Sequence, residues 1–160
     1  MKKMLVEQAM TPDPVTVLPE TPVTEVAKIM IENDVGGLPV VDRSGALLGI
    51  VTESDLIVQD SRVKFPRFVS FLDGYIFAPG SLQRFEEKFR KAVGATAGEL
   101  MTEDVRTVEA TDSVEEVATM MSEGKHKRFP VMKEGRLVGI ITMKDVVRLI
   151  SSGTPVEADE

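Results

Sequence analysis

Gly139-Ile140-Ile141-Thr142-Met143-Lys144-Asp145 decides the reading of this chain, because its pattern occurs twice. The twin is Gly49-Ile50-Val51-Thr52-Glu53-Ser54-Asp55. Each is a short apolar run that breaks at a threonine, with an aspartate following shortly after. A buried strand handing over to a helix reads this way. The threonine hydroxyl can cap the new helix while the aspartate reaches back, which is the spacing of a capping box. The same geometry gathers backbone N–H groups, a hydroxyl and a carboxylate at one helix N-terminus. Such a cluster can hold the phosphate and hydroxyls of a nucleotide.

Outward from these stretches, residues 6–58 align with 97–148, with one residue deleted from the second copy near Ser44. About two-fifths of the aligned positions are identical, the mark of an internal repeat. Ala9-Met10-Thr11 returns as Leu100-Met101-Thr102, Val15-Thr16-Val17 as Arg106-Thr107-Val108, and Leu38-Pro39-Val40 as Phe129-Pro130-Val131. Each copy predicts a short strand around Thr16 or Thr107, then a helix. The helix starts at Thr21-Pro22 in the first copy and at Asp112 in the second, where Glu115 completes the cap pattern. Val23, Val26, Ala27 and Met30 share one face of a helix, as do Val114, Val117, Ala118 and Met121. Two strands follow, joined by turns at Asp42-Arg43-Ser44-Gly45 and Lys133-Glu134-Gly135. The second helix opens at the Thr-x-x-Asp. Each unit is therefore β-α-β-β-α, an α/β (α+β) class. At about 50 residues it is too small to bury its helices alone, so the two copies are expected to pack together.

The non-repeated insertion, residues 59–96, holds six of the seven phenylalanines and the only tyrosine, Tyr75. Residues 65–72 and 81–93 read as two amphipathic helices, separated by Ala78-Pro79-Gly80. The expected organisation is thus a first repeat over 1–58, a helical Phe-rich insertion over 59–96, a second repeat over 97–150, and an acidic disordered tail over 151–160.

Composition narrows the function. A net charge of −7 argues against nucleic acid as the main partner, which requires a basic face. The absence of cysteine excludes disulfides, thiolate metal sites and a cysteine nucleophile, and a single histidine leaves little for a metal centre or a serine triad. No apolar run approaches membrane-spanning length and the N-terminus lacks a signal-peptide core, so a cytoplasmic protein with no membrane partner is expected.

The tandem pattern resembles a pair of CBS domains (cystathionine-β-synthase-type repeats), the regulatory unit called a Bateman module. The resemblance rests on Met-Thr then a Val-x-Thr-Val-like run, the h-Pro-Val strand and Gly-h-h-Thr-x-x-Asp, in order and twice. It implies two β-α-β-β-α units packed through their sheets with pseudo-two-fold symmetry, and two clefts between them. It further implies binding of adenosine ligands (AMP, ADP or ATP, with S-adenosylmethionine behind them), a homodimer, and no catalytic activity. Each cleft would draw on both repeats. The first would use Thr16, Val35 and Gly36 with Ile140, Thr142 and Asp145. The second would use Thr107, His126 and Lys127 with Ile50, Thr52 and Asp55. In these roles an aspartate suits the ribose diol, the threonine with its helix N-terminus a phosphate, and Val35, Ile50 and Ile140 the purine faces. Lys127 and Arg128, where the first copy has Gly36 and Gly37, resemble a phosphate clamp. Arg128 could serve either cleft.

Plainer readings stand beside these. Thr-x-x-Asp could be two capping boxes and no more, and residues 125–128 a solvated loop. His126 has no companion for a metal. Met10, Met30, Met101, Met120 and Met121 read as core. The expected function is a stand-alone adenosine-nucleotide sensor. The alternative is an interaction protein with empty clefts, whose insertion docks an unidentified protein target or mediates dimerisation. An enzyme ranks last, because Asp55 and Asp145 lack a base, nucleophile or metal beside them.

Overall fold

The computed structural model describes residues 3–60, 68–71, 74–77, 95–124 and 126–153. The elements run α1 (Val6–Ala9), β1 (Thr11–Pro12), α2 (Val23–Asn33), β2 (Gly37–Val41), β3 (Leu47–Thr52) and α3 (Glu53–Asp60) in the first half. A hairpin, β4 (Phe68–Phe71) and β5 (Gly74–Phe77), follows. The second half comprises α4 (Ala97–Leu100), β6 (Val108–Glu109), α5 (Val114–Glu123), β7 (Arg128–Lys133), β8 (Arg136–Thr142) and α6 (Met143–Ser151). The chain is a mixed α+β fold of two equivalent halves.

Both apolar helix faces are where the spacing puts them. Val26 and Met30 are buried on α2, and Val114, Val117 and Met121 on α5. The caps fall one residue later than expected. Pro22 precedes α2 while Thr21 Oγ1 accepts from Leu18 N–H at 3.1 Å. Ser113, not Asp112, caps α5, accepting from Glu116 N–H at 3.2 Å, because Asp112 is spent on Glu109 N–H at 2.8 Å. Strand one is also shifted: Val17 makes a single parallel bridge to Val40, and Val108–Glu109 pair with Val131 and Met132. The turns behave as their residues dictate. Asp42 Oδ1 accepts from Ser44 and Ala46 N–H, and Glu134 and Gly135 both take positive φ, as a tight hairpin turn requires.

The repeats are not assembled in simple sequence order, because their N-terminal segments change places. β1 pairs with β8, Thr11 opposite Ile140, completing the sheet β1-β8-β7-β6. Val6 is buried in the second core with Val108, Val117, Phe129, Val131 and Ile141. Reciprocally, Thr102 bridges Ile50, and Ala95, Ala97 and Leu100 join the first core with Val17, Val26, Leu38 and Val51. Backbone hydrogen bonds fix the exchange on both sides: Val6 N–H to Asp112 O at 2.9 Å, and Ala97 N–H to Thr21 O at 2.8 Å. The glycine of each Gly-h-h-Thr is the crossing point. A Cβ on Gly49 would stand 2.7 Å from both Met101 Sδ and Thr102 O, and one on Gly139 would collide with Met10 Sδ.

The two sheets face one another. Every residue of β2 is buried, yet only Leu38 and Val40 belong to the helix-side core. The opposite face, Gly37, Pro39 and Ile50, is buried too: Arg128 of the second half lies on Gly37, and Pro130 and Ile140 are buried in the equivalent places of the second half.

One element is of another kind than expected. Phe68–Phe71 is a strand paired to Gly74–Phe77, Phe68 opposite Phe77, where a helix over 65–72 was expected. Aromatic and β-branched residues on both strands, Phe68, Val69 and Phe71 against Tyr75, Ile76 and Phe77, outweigh the helical spacing. The helix expected over 81–93 lies outside the described residues. Ala95 packs in the first core, Thr96 bridges Pro22, and α3 reaches Asp60. At the other end α6 takes in Ser151, and residues 154–160 of the expected tail lie outside the described residues.

Candidate functional site

The two Thr-x-x-Asp stretches form the same local structure. Thr52 donates to Asp55 Oδ2 through its N–H at 2.7 Å and its hydroxyl at 3.0 Å, and Thr142 does the same to Asp145 Oδ2, at 2.8 Å for both. Thr142 Oγ1 also accepts from Asp145 N–H, so α6 begins in a full capping box. Both aspartates are therefore caps first. What differs is the second oxygen. Asp145 Oδ1 accepts from Arg148 Nη1 at 3.3 Å and the residue is only 6% exposed. Asp55 is partly exposed, and its Oδ1 has no hydrogen-bond partner among the described residues.

A cavity of about 290 Å³ opens at the junction of the halves, lined by Ile50, Thr52, Ser54, Thr102, Asp104, Val105, Arg106, His126, Lys127 and Arg128. It gathers five of the expected residues, Ile50, Thr52, His126, Lys127 and Arg128. Asp55 and Thr107 do not line it: Asp55 is bonded to Thr52, which does, and Thr107 is exposed one residue beyond Arg106. Thr102, Asp104, Val105, Arg106 and Ser54 were not foreseen. They enter because the exchanged segment carries residues 102–106 past the end of β3, where Thr102 N–H donates to Ile50 O at 2.9 Å. The glycine at 49 was the available signal, since a glycine within a strand marks a close approach of another backbone.

Arg128 joins the halves. Its guanidinium lies over the paired glycines, 2.6 Å from where a Cβ on Gly37 would be and 2.9 Å from one on Gly36. Glu53 Oε2 flanks the same Gly36 position at 2.7 Å. Arg128 Nη1 is fully buried and has no hydrogen-bond partner among the described residues. A buried cationic donor left unpaired is costly, so this atom suits an anion brought from outside. Beside it, the His126 and Phe129 rings meet at 6.1 Å and 59°.

The first cleft is differently furnished. Thr16, Val35, Gly36 and Thr142 are partly buried, and Ile140 and Asp145 buried. Lys144 Nζ reaches from α6 to Asp34 Oδ2 at 2.9 Å, across to the loop that carries Val35 and Gly36. That ammonium, hydrogen-bonding and then attracting the carboxylate, holds Asp34 below its usual pKa.

Two interlocked β-α-β-β-α halves with clefts at their junction define a tandem-repeat module. The chain belongs to the CBS domain family, which it matches over residues 6–60 and again over 97–152. It is 33% identical over 134 residues to the chloroplastic CBS domain-containing protein CBSX1 of Arabidopsis thaliana, a match taking in 82% of this chain and 57% of that one. This chain thus spans little more than half the length of that relative. The crystal structure of CBSX2 in complex with AMP superposes with a TM-score of 0.69 at 28% identity, over 94% of this chain and 98% of the other. The CBS domain pair of protein MJ0100, solved with 5′-methylthioadenosine and S-adenosyl-L-methionine, gives a TM-score of 0.69 at 27% identity, over 95% and 99%. Among the described residues no helix is long and apolar enough to cross a membrane, and no group of acidic or histidine residues is arranged to hold a metal.

Proposed function

We propose that this chain is a regulatory module that binds an adenosine nucleotide in the cleft between its repeats. Its relatives are seen with AMP, 5′-methylthioadenosine and S-adenosyl-L-methionine, and for this chain we favour a phosphate-bearing ligand, AMP, ADP or ATP. The observation that carries the reading is the cavity's lining. Arg106, Lys127 and Arg128 outweigh Asp104, and Arg128 Nη1 awaits an acceptor. A phosphate satisfies that donor, whereas the sulfonium of S-adenosylmethionine adds a like charge. Asp55 offers its open Oδ1 to the ribose diol, and Ile50 an apolar face to the base.

The module acts by binding, without turnover, and reports through a change in how its halves meet at Arg128. A nucleotide shifts that equilibrium only by its differential affinity for the two arrangements. The homodimer implied by the resemblance is part of the same proposal, supported by the exposed apolar stripe Met143, Val147 and Ile150 on α6. A thermal-shift panel of AMP, ADP, ATP, GTP and S-adenosylmethionine at about 1 mM tests the reading. Occupancy near 100 times the dissociation constant adds roughly 2.7 kcal/mol, a rise of several degrees. A rise with the adenosine phosphates that is absent in Arg128→Ala supports it, and a flat panel rejects it.

A further inference from the structure

We infer that the two clefts are not equivalent: this chain takes one nucleotide, in the second cleft, and the first is closed by the chain's own side chains. The inference rests on the nucleotide-binding reading and adds its stoichiometry and location. At four of the six paired positions the first cleft is the more covered, and at the other two, Ile140 with Ile50 and Thr142 with Thr52, the clefts are alike. Thr16 is partly buried where Thr107 is exposed, Val35 where His126 is exposed, and Gly36 where Lys127 is exposed. Asp145 is buried where Asp55 is partly open. A ribose must reach a carboxylate oxygen that still has a lone pair facing solvent. Asp55 is partly exposed, and its Oδ1 accepts no hydrogen bond among the described residues. Asp145 is buried, with Oδ2 held by Thr142 and Oδ1 by Arg148.

The phosphate end differs as well. Gly36 and Gly37 supply no cation, and the space their side chains would fill is taken by the Arg128 guanidinium. In the second cleft the equivalent positions are Lys127 and Arg128 themselves, both lining the cavity. Lys144 and Asp34 span the first cleft, but their side chains are 66% and 90% exposed, and so open a pair contributes little. The burial of Asp145 and the placement of Arg128 close the cleft, with the ion pair on top.

Isothermal titration calorimetry with AMP and then ATP, on the wild type and on Lys127→Glu, tests this. Lys127 is exposed, so its replacement leaves the core intact. The expected result is one nucleotide per chain for the wild type, weakened tenfold or more by Lys127→Glu. A ratio of two per chain, or one per two chains, overturns the inference and leaves the nucleotide reading standing. A ratio of one that Lys127→Glu weakens less than tenfold puts the ligand elsewhere and also overturns it. No heat with either nucleotide, and no competition by them against a fluorescent adenosine analogue, rejects the nucleotide reading itself.

Discussion

Arg128 from the second repeat lies on Gly37 of the first, its Nη1 2.6 Å and its Cδ 2.8 Å from where a Cβ on that glycine would stand. In the repeat alignment Gly37 is the counterpart of Arg128 itself. One repeat supplies the side chain and the other the space for it, which breaks the pseudo-symmetry where a phosphate would be bound.

Gly37→Ala should therefore displace Arg128. The intruding atoms belong to a flexible side chain, so the cost falls at the low end of overpacking, about 1 kcal/mol. Urea denaturation of Gly37→Ala, Arg128→Ala and the double variant checks it. The double variant should recover most of the Gly37→Ala loss, a coupling that independent sites would not show.

Gly49→Ala should cost more. The added methyl meets Thr102 O, a backbone atom fixed by its own bridge to Ile50, as well as Met101 Sδ. We expect a loss of about 2–3 kcal/mol in the same denaturation experiment. A loss below about 0.5 kcal/mol would contradict the exchange of N-terminal segments, since in an unexchanged repeat nothing crosses Gly49.

The repeat, the class of fold and the Thr–Asp bonding at the start of each second helix were legible in the sequence, because each depends on short-range spacing. Thr52 with Asp55 and Thr142 with Asp145 need only neighbours three positions away. The exchange was not legible: Met10-Thr11 and Met101-Thr102 read identically whether they pack on their own repeat or on the other. Without it Arg106 and Thr102 could not be assigned to the cavity. The strand at Phe68–Phe71 was missed because helical spacing of phenylalanines is also met, over so few residues, by a strand.

The two capping aspartates separate structural from ligand roles. Asp55→Ala and Asp145→Ala should each lose about 1 kcal/mol of stability with the cap. Only Asp55→Ala should also weaken nucleotide binding, tenfold or more by calorimetry. Equal weakening by both would contradict the closed first cleft.

Lys144 lowers the pKa of Asp34, so the contribution of this pair is present above the ordinary carboxylate range and is lost as pH falls through the lowered value. An NMR titration should find the Asp34 carboxyl below its usual pKa in the wild type and returned towards it in Lys144→Met. Added salt should have the same effect in weaker form, because both side chains are exposed.

The most direct measurement is a crystal structure of the chain grown with AMP. The account predicts one AMP per chain, its phosphate on Lys127 and the cavity side of the Arg128 guanidinium, its ribose at Asp55 Oδ1, and Lys144 still bonded to Asp34. AMP bound at Asp145, with the Lys144–Asp34 pair parted, would contradict it.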